Sequence, residues 1–180
     1  IASTTNEIIL NDYLVKNAKT KKEKILYLNE FLDKIKGTLY RQTMFAEYEH
    51  IMHKLAEEGS PITVDVMRSE YRKLLELYFG DSVELLEESD MEGLRIPHFY
   101  SSYYVYKYAT GISAAIALSK KVLNGDEKDL SQYMSFLKSG GSLFPIDTLK
   151  LAGVDMSKET AIISAIDHFK QMIEEFEKLV

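Results

Sequence analysis

The sequence has no cysteine, and only three prolines and nine glycines interrupt its 180 residues. The absence of cysteine excludes disulfide bonds and thiolate metal sites. Because a chain without disulfides suits a reducing compartment, we expect a cytoplasmic protein. The scarcity of proline and glycine leaves long stretches that a helix can occupy without a break.

An excess of positive charge is also missing. The chain carries 22 Lys and Arg against 28 Asp and Glu, a formal net charge of −6, with an isoelectric point near 5.3. Nucleic acid and anionic membrane surfaces are therefore not expected partners. No apolar run reaches the roughly 18 residues that indicate a membrane span. Hydrophobic residues nevertheless make up 46%, which is enough for the core of one domain over residues 1–180.

Apolar residues recur at helical spacing, and no segment alternates as a strand would. The pattern predicts an all-α, multi-helix bundle, with a bend or break at Gly37. Thr63, Asp126 and Ser157 are predicted N-caps. The predicted helices cover residues 2–17, 20–36, 38–58, 64–79, 99–123, 127–138 and 145–152, and a last helix follows Ser157.

Three further features are predicted from residue spacing and residue type. The last helix should present one apolar stripe that consists of Ile162, Ile166, Phe169, Ile173 and Phe176. The acidic segment 84–92 is most simply a solvated face. Gly140 and Gly141 are expected in a tight turn that needs positive φ.

A tyrosine-rich segment is the densest signal in the chain, with five tyrosines at positions 100–108. On a helix, Tyr100, Tyr104 and Tyr108 would share one face, and Tyr103 and Tyr106 would lie together on another. Phenols in such a row can donate hydrogen bonds to a peptide carbonyl and stabilise the negative charge of a tetrahedral intermediate. His98 can serve as a further donor or as a proton carrier. The alternative is that the tyrosines only fill a core or an interface.

A second candidate site consists of Glu49, His50 and His53. The histidines are three residues apart, whereas a zinc-peptidase helix places them four apart with a glutamate between them. A small metalloprotein that uses these three residues is one alternative function. More often such a pair belongs to a solvated helix face. His168 has no partner cluster and is interpreted as structural.

Three motifs, in order along nearly the whole chain, resemble oligoendopeptidase F, of the zinc metallopeptidase family that includes thimet oligopeptidase. Residues 96–100 read Ile-Pro-His-Phe-Tyr, and residues 104–111 read Tyr-Val-Tyr-Lys-Tyr-Ala-Thr-Gly. Residues 41–49 resemble the helix that follows the family's metal site. Residues 139–142 resemble its Gly-Gly-Ser turn, with Pro145 and residues 153–156 after it.

The resemblance also implies what lies upstream. Residues 1–7 match the family's Glu-x-x-Ser-x-x-x-Glu motif from its second position onward, so the metal-ligand glutamate is expected directly before Ile1. The His-Glu-x-x-His helix is absent from the chain. We therefore expect a truncated C-terminal portion of the catalytic domain that has no metal ligand of its own. Glu7 matches the motif's second glutamate and is expected to orient a ligand.

The resemblance further implies roles for the tyrosine-rich segment. His98, Tyr103 and Tyr106 would stabilise the oxyanion, and Tyr100 and Tyr104 would bind substrate. The intact enzyme would use Zn²⁺ to hydrolyse oligopeptides, with the missing N-terminal part as partner. The fragment alone is expected to be inactive and without zinc, and its exposed apolar surface favours a dimer. A non-catalytic helical module that binds a peptide or a protein remains the other alternative.

Overall fold

The computed structural model describes residues 1–180 and consists of helices joined by turns and loops, with no strand. This confirms the all-α prediction. No helix combines the length and the apolar character needed to cross a membrane. The α-helices are α1 (Ala2–Asn17), α2 (Lys21–Ile35), α3 (Arg41–Glu57), α4 (Val64–Phe79), α5 (Glu92–Arg95), α6 (Tyr106–Leu123), α7 (Glu127–Ser139), α8 (Pro145–Leu151) and α9 (Thr160–Glu177).

Two of the three predicted N-caps are confirmed. The Thr63 hydroxyl accepts a hydrogen bond from the backbone N–H of Val66 at 3.3 Å. The Asp126 carboxylate accepts one from the N–H of Lys128 at 2.7 Å. Each bond satisfies a backbone donor that the first turn of a helix otherwise leaves unpaired, and it fixes where α4 and α7 begin.

The prediction that Ser157 caps the last helix is wrong. Helix α9 begins at Thr160, after Glu159. The hydroxyl and the backbone N–H of Ser157 both donate to the Asp155 carboxylate, at 2.6 and 3.0 Å. The serine belongs to this local turn, and α9 begins three residues beyond it with no side-chain cap hydrogen bond.

The predicted stripe lies beside the buried face of α9, and its members Phe169, Ile173 and Phe176 are half-buried. Ala161 and Ala165 are buried, whereas Ile162 and Ile166 are exposed. Ala161 packs with Ala114, Leu118 and Leu149 in one hydrophobic cluster. Small alanine side chains allow close helix approach, which explains why the larger isoleucines lie outside this contact.

Gly37 neither breaks the chain nor ends the helical path. It lies in a π-helical segment, Lys36–Tyr40, that connects α2 to α3. Beyond its chain neighbours and the local helix backbone, no atom lies within 4 Å of the position that a Cβ would occupy at Gly37. The predicted bend is therefore a local change of helix type.

Two compact units are present in the chain: residues 1–39 with 110–180, and residues 40–109. The core of the second unit is a hydrophobic cluster of Met44, Phe45, Tyr48, Tyr71, Leu74, Leu75 and Val105. In the first unit, a cluster of Ala114, Leu118, Leu149, Ala152, Val154 and Ala161 joins α6, α8 and α9. The single domain expected for residues 1–180 stays a prediction, because compact units also occur within one domain.

The acidic segment is only partly a solvated face. Glu84, Glu87 and Glu88 are exposed, as predicted. Asp90 is instead buried, and its carboxylate lies 2.7 Å from Nε of Arg68 and 3.4 Å from Nε of Arg72. The prediction is wrong at Asp90, because two arginines on α4 supply the partners that a buried carboxylate needs.

Glu92 also departs from that prediction. Its carboxylate accepts a hydrogen bond from the Tyr71 hydroxyl at 2.7 Å and pairs with Arg41 and Arg95. These contacts join α5 to α3 and α4, so the chain between α4 and α6 is anchored at both Asp90 and Glu92.

Candidate functional site

The tyrosine-rich segment is not one continuous helix. Residues Pro97–Tyr100 form a short 3₁₀ helix, residues 101–105 form turns, and α6 begins only at Tyr106. The prediction of a helix from residue 99 is therefore wrong for its first seven residues. The helical faces expected for Tyr100, Tyr103 and Tyr104 do not exist.

Tyr103 explains why the helix starts late. Its φ angle is +54°, the left-handed region that disfavours a residue with a Cβ. Its backbone N–H donates to Oε1 of Glu49 at 2.6 Å, and its ring stacks on His53 with centroids 4.6 Å apart. The carboxylate of Glu49 is buried, so this contact is protected from water. A contact from α3 thus overrides the local preference of residues 99–105 for a helix.

A second cluster joins His98, Tyr104 and Tyr108. The His98 ring stacks on Tyr104 at 5.6 Å and meets Tyr108 edge-on at 5.9 Å. The Tyr108 hydroxyl lies 3.4 Å from Nε2 of His98. A side-chain hydrogen bond with Tyr104, together with partial burial, raises the pKa of Tyr108 above its ordinary value.

All five tyrosines of the segment are accessible, from 37% exposed at Tyr104 and Tyr108 to 91% at Tyr100. Tyr106, the first residue of α6, is 49% exposed. The buried tyrosines are others: Tyr48, Tyr71 and Tyr133. The segment therefore does not fill the core of this chain. The alternative that its rings pack in an interface with another part of a longer protein stays open.

Two residues of this region, Tyr108 and Glu49, have roles in the structure that the sequence does not predict. Helical spacing alone singles out Tyr108, and the structure shows that it completes the ring cluster around His98. The sequence suggests Glu49 only as a metal ligand, whereas it fixes the backbone of Tyr103. Spacing could have suggested Tyr108, because it follows Tyr104 by one helical turn. Nothing local could have revealed Glu49, which lies 54 positions before its partner.

The metal-site alternative at Glu49, His50 and His53 is not supported by the geometry. Glu49 faces the tyrosine segment, His53 packs on Tyr103, and His50 is exposed to solvent. No group of three or more His, Cys, Asp or Glu residues in the chain is arranged to hold a metal ion. The donor set of this chain therefore does not fit a zinc centre.

Glu7 lies in the unit formed by residues 1–39 and 110–180. It is on α1, its side chain is 55% exposed, and its carboxylate pairs with Lys34 of α2. This ion pair between neighbouring helices is the contact that the structure gives to Glu7. Its expected role in orienting a metal ligand stays a prediction.

Similarity to known proteins extends along nearly the whole chain. The model of "Peptidase family M3" matches residues 1–168. Oligopeptidase PepF of Bacillus subtilis is 46% identical over 180 residues, which is 100% of this chain and 27% of that protein. An oligoendopeptidase F homolog of Borreliella burgdorferi is 44% identical, with 99% of this chain and 30% of that protein covered.

A solved structure agrees with these sequences. The crystal structure of oligoendopeptidase-F from Enterococcus faecium superposes with a TM-score of 0.92 at 45% identity, and covers 98% of this chain and 34% of that one. The chain thus spans about a third or less of the length of the relatives that it matches.

Proposed function

Because this chain belongs to peptidase family M3, we propose that it is the C-terminal portion of an oligoendopeptidase that hydrolyses short peptides. The accessible cluster of phenols and imidazole at residues 98–108 is the observation that carries the proposal. The similarity of the chain to relatives named oligopeptidase and oligoendopeptidase supports peptide hydrolysis as the reaction.

Within the proposed enzyme, His98, Tyr103 and Tyr106 act as hydrogen-bond donors to the carbonyl of the peptide bond that is cleaved. As water adds to that carbonyl, negative charge develops on its oxygen, and donors fixed in advance stabilise this charge more than they stabilise the substrate. Tyr100 and Tyr104 hold the peptide backbone. Tyr108 supports His98, because its hydroxyl lies next to Nε2.

Glu49 has a positioning role in this proposal. Its carboxylate holds the backbone of Tyr103 in the left-handed conformation, and the stacked His53 holds the Tyr103 ring. A donor whose position is fixed before the substrate binds requires no reorganisation during the reaction.

The zinc ion that the resemblance implies has no ligand set in this chain. We propose that residues outside the chain bind it, that Glu7 orients one of its ligands, and that the isolated chain is inactive. Zinc, when bound, would supply a Lewis acid for the carbonyl. The absence of cysteine supports a cytoplasmic location.

Self-association of the isolated chain is a related proposal. Large apolar side chains are exposed on and near α7 and α8, including Leu130, Met134 and Phe144, which is 80% exposed. Exposed apolar surface favours association with a second copy when its usual partner is absent. Sedimentation velocity of the isolated chain would show a dimer, and a monomer at all concentrations would contradict it.

The central experiment uses the complete protein with internally quenched peptides of different length. We expect cleavage inside short peptides, loss of activity with a chelator and recovery with Zn²⁺. His98→Ala should lower kcat strongly, whereas His50→Ala, which changes an exposed histidine of α3, should not. Peptide binding without any cleavage would favour the non-catalytic module instead.

A further inference from the structure

Lys107 is the single formal charge of a long uncharged stretch that contains the tyrosine-rich segment. Residues 96–119 include no other Asp, Glu, Lys or Arg. The chain as a whole carries a formal net charge of −6. The charge at this part of the candidate site is therefore opposite in sign to the charge of the chain.

Aromatic contacts locate the ammonium group of Lys107. The residue is the second of α6 and is exposed. Its Nζ lies 4.7 Å from the centroid of the Tyr104 ring, within the roughly 6 Å over which the face of a ring attracts a cation. The same ring stacks on His98, with centroids 5.6 Å apart. The ammonium group thus adjoins the cluster of His98, Tyr104 and Tyr108.

The contact with Tyr104 does not neutralise the ammonium group, because a neutral ring attracts a cation only through its quadrupole. The carboxylate of this region, Glu49, is buried and accepts the hydrogen bond from the backbone N–H of Tyr103. Lys107 is exposed, and the ring beside it is itself 37% exposed. A molecule that lies on Tyr104 therefore meets a positive charge next to it.

We propose that Lys107 is a specificity-determining residue that favours peptides with a carboxylate beside the part held by Tyr104. This role rests on the proposed peptidase function, in which Tyr104 holds the peptide backbone. The carboxylate comes either from an Asp or Glu side chain or from the C-terminus of a short peptide. A Lys or Arg side chain at the same place is repelled, so basic peptides are poorer substrates there.

The substrate test uses the complete protein and internally quenched peptides that differ in one residue at a time. Glu, Gln or Lys is placed in turn at each position on either side of the cleaved bond. At the position that meets Lys107, we expect kcat/KM to fall about threefold from Glu to Gln and again from Gln to Lys, as is usual for an exposed ion pair. Added NaCl should reduce this preference, because it screens exposed charges.

A second pair of peptides identifies the source of the carboxylate. The two peptides have the same sequence, one with a free C-terminus and one with an amide. If the free C-terminus raises kcat/KM while Glu and Gln are equal at every position, the carboxylate is the terminal one. Equal kcat/KM for all these peptides would overturn the role of Lys107.

Charge variants show whether the preference belongs to Lys107. Lys107→Gln should abolish the preference, Lys107→Arg should retain it, and Lys107→Glu should invert it so that Lys peptides become better than Glu peptides. Lys138→Glu, at an exposed lysine of α7, makes the same change in net charge and should leave the preference intact. If Lys107→Glu lowered kcat/KM equally for all peptides, Lys107 would have a structural role and the proposal would be overturned.

Failure of this proposal is distinguishable from failure of the proposed function. Cleavage of all peptides with equal kcat/KM would overturn the role of Lys107 and leave the peptidase function standing. If the complete protein cleaved none of them, the peptidase function would be contradicted, and fluorescence anisotropy would measure the binding of the same peptides. Tighter binding of the carboxylate peptides that is lost in Lys107→Gln would then support carboxylate recognition, and equal affinities would overturn it.

Discussion

The backbone N–H of Tyr103 donates a 2.6 Å hydrogen bond to the carboxylate of Glu49, across 54 positions of sequence. This bond connects a buried residue of α3 to a turn whose side chains are exposed. It holds Tyr103 at φ +54°, a conformation that a tyrosine seldom adopts without support. The geometry of the site therefore depends on a residue outside the tyrosine-rich segment.

Replacement of Glu49 tests this dependence. In the complete protein, Glu49→Ala should lower kcat on the order of tenfold to a hundredfold, because a small displacement of a positioned group is costly. Glu49→Gln retains an acceptor oxygen and should lose less activity. Peptide hydrolysis assays give both values, and Glu57→Gln, an exposed change on the same helix, is the control. If Glu49→Ala had the same kcat as the unchanged protein, the positioning role would be contradicted.

Removal of the Tyr106 hydroxyl tests the proposed oxyanion donor. Tyr106→Phe in the complete protein should lower kcat on the order of a hundredfold and change KM much less, as expected for a bond made in the transition state. Tyr13→Phe, which alters an exposed tyrosine of α1, should have normal kinetics. If Tyr106→Phe retained a normal kcat while folded, Tyr106 would not be that donor.

Gly93 packs closely against two buried tyrosine rings. A Cβ built there would lie 2.8 Å from Cδ2 of Tyr71 and 3.2 Å from Cε1 of Tyr48, two buried rings. Gly93→Ala should therefore reduce the free energy of unfolding by about 1–3 kcal/mol. Gly141→Ala, where nothing lies within 4 Å, should cost less. Urea unfolding of both variants measures the difference, and equal stability would refute the clash.

The imidazole of His168 predicts a pH dependence of stability. Burial, with Lys120 nearby, lowers its pKa to about 4, and its ring packs edge-on against Phe31. Between pH 4 and about 6.5 the unfolded chain binds a proton that the folded chain does not. The contribution of His168 to the free energy of unfolding should therefore fall as the pH drops through this range. Above about pH 6.5 this contribution should stay constant.

Thermal unfolding of the unchanged protein and of His168→Gln between pH 7 and pH 4 isolates this contribution. The melting temperature of the unchanged protein should fall further than that of the variant. The carboxylates of Asp and Glu titrate equally in both proteins, so the difference belongs to His168. Parallel curves would show that His168 does not contribute. An NMR titration of the His168 ring gives its pKa directly.

The helices were predictable because their signals are local. Caps such as Thr63 and Asp126 lie within three residues of the N–H groups that they bind. The start of α6 was not predictable, because it depends on a hydrogen bond from Tyr103 to Glu49 of a distant helix. The burial of Asp90 was likewise hidden, since it depends on Arg68 and Arg72 rather than on the acidic residues around it.

The candidate site shows the same division. The composition of the tyrosine-rich segment indicated the chemical groups, and accessibility of the five phenols agrees with a binding role. Helical spacing indicated the contact of Tyr104 with Tyr108. It could not give the stacking of Tyr103 on His53 or of Tyr104 on His98, because residues 101–105 form turns. The contact of Glu49 with Tyr103 depends on tertiary packing alone.

The left-handed backbone at residue 103 has a consequence for protein engineering. Glycine adopts this conformation freely, so Tyr103→Gly would relieve the backbone strain. It would also remove the ring that stacks on His53 and, in the proposed enzyme, a phenol at the substrate. Backbone relief and ring contacts are thus opposed at a single position, and a screen that records both stability and turnover would separate them.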